Sequence, residues 1–224
     1  NSNTTGSSNI GIGYEALYSN SSSNNNFSAS YNVAIGYEAA LDYTLSVKTT
    51  AVGYQSQRNI TNPSGGHNAK NTSLGYQALK GGGGTAWHNT AIGAETMPSI
   101  TSGTMNTACG ADALYSITEG DENTAVGKAA LNSNSTGDTN TAVGKSALYS
   151  NTTGNYSTAV GYDSQKNINS TGYNNNNSVW NTSFGYQALL GNTSDNPTCF
   201  TNTAIGAYTL KNIVNGNNNI ALGQ

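Results

Sequence analysis

Side chains able to do acid–base or metal chemistry are few in this sequence, and they are scattered. His67 and His88 are its two histidines, and no carboxylate stands at metal-ligand spacing from either. Glu15, Glu38 and Glu95 occupy one recurring position, but Gln55, Gln77 and Gln187 fill it elsewhere, so that position does not demand an acid. No acid pair suited to glycoside cleavage stands out. GxSxG, P-loop, dinucleotide and calcium-nonapeptide signatures are absent. Cys109 and Cys199 are the two cysteines; Cys109 takes an aliphatic position and is expected to be a small buried hydrophobe. The expectation is a non-enzyme that needs no cofactor and no metal.

What remains is contact chemistry. Trp87, Tyr173, Trp180 and the 174–177 asparagine run sit in segments expected to protrude, where aromatic faces and amides can stack on and hydrogen-bond to surface glycans. Asn-x-Ser/Thr sequons, including those at Asn59, Asn151, Asn155 and Asn169, permit glycosylation.

The elements that must position these groups come from a repeat. A phrase of the form Asn-Thr-Ala-Val-Gly recurs twelve times, with its glycine at Gly13, Gly36, Gly53, Gly75, Gly93, Gly110, Gly127, Gly144, Gly161, Gly185, Gly206 and Gly223. The spacing is never below 17 residues and is often longer. A fixed minimum with additions only is the mark of stacked coils, because extra residues can bulge outward but none can be removed. Thr124 and Val126 alternate about Ala125, as Thr141 and Val143 do about Ala142, which predicts a short strand. The β-branched pair is expected to face inward and alanine outward, toward a second copy of the chain. An Ala-Leu pair after most of the glycines (Ala113-Leu114, Ala130-Leu131, Ala147-Leu148) predicts a second strand, with turns such as 151–154 between.

Stacked about 4.8 Å apart, Asn71, Asn89, Asn106, Asn123, Asn140, Asn181, Asn202 and Asn219 should form an amide ladder, and the glycine column should supply corners. The fold expected is all-β: one continuous parallel β-solenoid, or β-roll, of about twelve coils over residues 1–224. A longer similarity, as between TAVGYQSQ at 50–57 and TAVGYDSQ at 158–165, indicates duplication of a six-coil block, approximately 32–139 and 140–224. Insertions at 58–70 and 166–180 recur with it. Neither end shows a capping repeat, which suggests either a segment of a longer fibre or subunits stacked end to end.

The NTAVG strand followed by a small residue resembles the head repeats of YadA-like trimeric adhesins. The longer form, NTAVGKSALYSNTTGN at 140–155, is similar to repeats of phage and bacterial tail-fibre proteins. This resemblance spans the chain and implies a left-handed roll, a homotrimer and a place on a cell surface or virion. The coils here are longer than those of adhesin heads.

Composition limits the alternatives. Charged residues make up 8% and net charge is −3, so there is no basic surface for nucleic acid and no polybasic tract for a membrane. No apolar run is long enough to span a bilayer. Partners are therefore expected to be other copies of the chain, as homotrimer or end-to-end homopolymer, and surface glycans, outside the cell. A glycan-degrading tail spike is the weakest alternative.

Overall fold

The computed structural model describes residues 6–19, 29–42, 47–60, 69–169, 178–192 and 199–224. Twelve three-residue strands, β1 (Ile10–Ile12), β2 (Val33–Ile35), β3 (Thr50–Val52), β4 (Thr72–Leu74), β5 (Thr90–Ile92), β6 (Thr107–Cys109), β7 (Thr124–Val126), β8 (Thr141–Val143), β9 (Thr158–Val160), β10 (Thr182–Phe184), β11 (Thr203–Ile205) and β12 (Ile220–Leu222), form one sheet in chain order. Every pair is parallel and in register, so that Ala125 sits between Ala108 and Ala142, and Val126 between Cys109 and Val143. The chain is a β-solenoid. Longer intervals, such as the one between β9 and β10, leave the register intact.

The strand faces are the reverse of expectation. Alanine points in: Ala34, Ala51, Ala91, Ala108, Ala125, Ala142, Ala159 and Ala204 are wholly buried, while the flanking threonines and aliphatic residues face out. The narrowness of the coil explains this. A Cβ added at Gly11, the mid-strand residue of β1, would lie 3.5 Å from Leu17 Cδ1 on the opposite wall of its own coil. Only a small side chain, alanine or serine, fits between strand and turn, so Val or Ile cannot enter. Cys109 consequently lies exposed on β6 rather than buried, whereas Cys199 is buried and its thiol donates to Val214 O (3.4 Å). Burial pushes the Cys199 thiol pKa up.

The second apolar pair is a turn and not a strand. Leu114, Leu131, Leu148 and Leu189 adopt φ between 50° and 52° and send their side chains into the core beside the inward alanines. Each coil thus carries one strand and three left-handed corners: the residue before the ladder position, the second after the glycine, and the fourth. A left-handed corner costs a non-glycine residue on the order of 1 kcal/mol. Stacking offsets this, because the corner N–H groups bond to adjacent coils, as in Glu122 N–H to Thr104 O (2.9 Å) and Leu114 N–H to Ala130 O (3.0 Å). Glu122, exposed with φ 57°, shows the strain without other complications. Glu122→Gly is expected to stabilise the chain by about 0.5–1 kcal/mol and Glu122→Val to destabilise it by at least as much. Urea unfolding midpoints of the two variants check the opposite signs.

The asparagine column is a ladder, but chiefly one between side chain and main chain. Each Oδ1 accepts the N–H of the next rung, as Asn89 does from Asn106 (2.9 Å) and Asn123 from Asn140 (3.0 Å). Each Nδ2 donates to a carbonyl of the following connector, as Asn106 to Gly120 O and Asn140 to Gly154 O. Direct amide–amide bonds, such as Asn140 Nδ2 to Asn123 Oδ1 at 3.1 Å, are secondary. Asn9 and Asn32 extend the column downward; Thr49 and Ser157 interrupt it. Asn71 through Asn202 are buried, and Asn219 is the exposed last rung described.

Candidate interaction surface

The outward side of the sheet carries two parallel columns. One is threonine, from Thr50 through Thr203, with Ile10, Val33 and Ile220 toward the ends; the other is Ile12, Ile35, Val52, Leu74, Ile92, Cys109, Val126, Val143, Val160, Phe184, Ile205 and Leu222. Most of the second column is more than a third exposed, from Leu74 through Val126 and Val143 at mid-length to Phe184 and Ile205. In-register pairing lines these side chains up about 4.8 Å apart, making one straight apolar stripe without a charged residue in either column.

Beside that stripe, just past the glycine corner, runs a third column. Tyr14, Tyr37, Tyr54 and Tyr76 stack with ring centroids 5.1, 5.2 and 5.3 Å apart and planes within 13°. Further along, Tyr162 and Tyr186 stack at 5.3 Å, Tyr208 meets Tyr186 edge-on, and Lys145 lies over Tyr162 at 5.3 Å. A polar row accompanies the first stack: Arg58 Nε donates to Glu38 (2.6 Å), Gln55 Nε2 donates to the same carboxylate (2.8 Å), and Gln77 Nε2 to Gln55 Oε1 (2.8 Å). The Gln55 amide first, and Arg58 with it, hold the Glu38 carboxyl below its ordinary pKa. Hydrogen bonds to Glu15 and Glu38 raise the pKa of Tyr14 and Tyr37 respectively.

The aromatic residues singled out from sequence are placed apart. Trp180 is exposed and stacks on Tyr156 at 6.1 Å. Trp87 is half-buried against His88 in an edge contact, and burial lowers the His88 pKa. Tyr173, His67 and the 174–177 run lie outside the described residues. Of the sequon asparagines, Asn151 is buried, with its amide bound to Gly154 O and Asn134 Oδ1. Asn59, Asn155 and Asn169 are half-buried and engage Gly81 O, Asp138 N–H and the Thr152 hydroxyl. Among the described residues no group of three His, Cys, Asp or Glu side chains is arranged to hold a metal, and no helix is long and apolar enough to cross a membrane.

Two buried polar knots escaped the sequence reading. In one, Ser56, Gln57 and Ser73 replace the usual Ala, Leu and Ala; Gln57 Nε2 donates to Ser73 Oγ (2.8 Å) and Thr50 O (2.9 Å), and Ser56 bonds Ser73. Ser164, Gln165 and Ser183 repeat the arrangement further along the chain. The signal lay in Ser-Gln standing where Ala-Leu stands elsewhere, followed one coil later by Ser for Ala: a polar side chain entering the core brings its partner along.

No family model matches the chain, and no curated protein or solved structure is significantly similar to it.

Proposed function

We propose that this chain is a non-enzymatic structural and adhesive solenoid, the body of an extracellular or virion fibre, and that it self-associates through its outward aliphatic stripe. The observation that carries this is the continuous column from Ile12 to Leu222, with Leu74, Ile92, Val126, Val143, Phe184 and Ile205 all exposed. Soluble monomers rarely leave apolar patches larger than a few hundred Å² uncovered. A narrow coil filled mainly by Ala and Leu also supplies little burial per residue, so a thin roll gains much from joining others. Alanine, the residue expected on the associating face, is internal, and the aliphatic column takes that role. Three copies, the number implied by the resemblance to trimeric adhesins, would enclose the three stripes around a common axis. Trp180 on Tyr156, at the edge of the 166–180 insertion, is the aromatic pair best placed for surface glycans.

Light scattering after gel filtration tests the assembly: the account expects three times the chain mass, and a monomer from Val126→Lys combined with Val143→Lys. A wild-type chain that is monomeric at micromolar concentration overturns it. Electron microscopy separates the end-to-end alternative, which gives long unbranched filaments where trimers give short rods. Shortening the 61–68 and 170–177 segments so that each interval returns to 17 residues, with surface binding intact, would remove the insertions from the attachment role.

A further inference from the structure

The tyrosine column is more regular than surface decoration requires. Four phenols on successive coils lie face to face, exposed, at centroid separations of 5.1, 5.2 and 5.3 Å. Their backbones are tied by the sheet, as by Gln55 N–H to Tyr37 O and Gln77 N–H to Tyr54 O, both 2.8 Å, so neighbouring rings cannot drift apart. The rings present their edges to solvent and their faces to each other. That leaves few free faces for stacking on a ligand, but it holds like reactive groups together. Reaction between groups held in this way is favoured over encounter between free ones by a large effective concentration.

We propose that Tyr14, Tyr37, Tyr54 and Tyr76 form a site of oxidative cross-linking, in which hydrogen peroxide and a haem peroxidase couple adjacent phenols into dityrosine and staple one coil to the next. Each phenol gives up one hydrogen atom, its electron going to the peroxidase and its proton to solvent or a neighbouring carboxylate. The two phenoxyl radicals join ortho carbon to ortho carbon. Each ring then passes its displaced ortho proton to its own oxygen and becomes aromatic again. One peroxide is reduced to two waters for each bond formed. The hydrogen bonds from Tyr14 to Glu15 and from Tyr37 to Glu38 place a proton acceptor at two of the phenols. Each staple would close a loop of one coil and restrict the unfolded chain accordingly.

Tyr115 and Tyr149 provide an internal comparison. Both are exposed much as Tyr54 is, yet they stand two coils apart, with Asn132 at the same position between them. The experiment treats the full chain with a haem peroxidase and hydrogen peroxide, then reads dityrosine fluorescence and maps cross-linked peptides by mass, each link showing loss of two hydrogen atoms. The expected result is intrachain Tyr37–Tyr54 and Tyr54–Tyr76 links at least about tenfold more abundant than any link to Tyr115 or Tyr149, in line with the proximity advantage. Tyr54→Phe keeps a ring in the stack and should abolish both links while leaving Tyr14–Tyr37. Links spread evenly over exposed tyrosines, links between chains only, or no dityrosine under conditions that oxidise free tyrosine would each overturn the proposal.

Discussion

Gly144→Ala is expected to cost about 3–5 kcal/mol, combining backbone strain with overpacking that cannot relax. Gly144 has φ 129°, and a Cβ there would lie 2.5 Å from Gly161 O and 2.7 Å from Gly161 C. The atom in the way is main chain, and it belongs to the next member of the same column, whose own Cβ position is closed by Gly185. Moving it aside means parting two coils, and in a solenoid stability is carried by neighbour-to-neighbour contacts. Gly83 is the control: its φ is 85°, and a Cβ there would meet nothing within 4 Å, so Gly83→Ala should cost only about 1 kcal/mol. Urea unfolding of the two variants compares them directly. Equal losses would mean that the glycine column is a turn preference and not a steric necessity.

Asn123→Ala should lose about 2–4 kcal/mol. Asn123 Oδ1 accepts from Asn140 N–H (3.0 Å) and Asn140 Nδ2 (3.1 Å), while its Nδ2 donates to Gly137 O (2.8 Å) and Asp121 O (3.1 Å). Truncation strands a buried main-chain N–H at Asn140, which costs on the order of 1–3 kcal/mol by itself. Gly137 O keeps a donor in Asn134, which limits the loss on that side. Asn123→Asp should be worse at neutral pH, because it buries a charge and replaces the donating amide with an acceptor facing Asn106 Oδ1. Burial would raise the folded-state pKa of that aspartate above its unfolded value, so stability should recover as pH falls. Thermal unfolding of the alanine and aspartate variants at acid and neutral pH tests both statements. An alanine variant within about 0.5 kcal/mol of wild type would deny the ladder its role.

The sequence carries the solenoid plainly, because a minimum spacing with additions only has one simple physical meaning, and it carries the glycine and asparagine columns with it. It misleads about the direction in which side chains face. In most half-buried strands the β-branched residues of a Thr-Ala-Val triplet go inward and alanine is left out; here the coil is too narrow, a fact visible only when Leu17 is seen across from Gly11. The left-handed leucines were illegible for a related reason. Leu114 at φ 50° contradicts local preference and is held by its neighbours, Ala130 O above all. The interaction surface was half legible: tyrosine after glycine on four successive coils marks a column, but its stacking depends on a register the sequence does not print.

Distances along the outer face test the stacking of the coils most directly. Cys109 is already exposed on β6 and can carry one spin label in a Cys199→Ser background, with a second label on a cysteine introduced at Phe184, Ile205 or Leu222. Labelled chain would be diluted into unlabelled chain so that only intrachain pairs report. These positions lie four, five and six strands from β6, so the separations should be about 19, 24 and 29 Å at a strand spacing of about 4.8 Å. The two steps should be equal although the residue intervals from 184 to 205 and from 205 to 222 differ. Separations that follow the number of intervening residues, or that do not rise along the series, would contradict the solenoid.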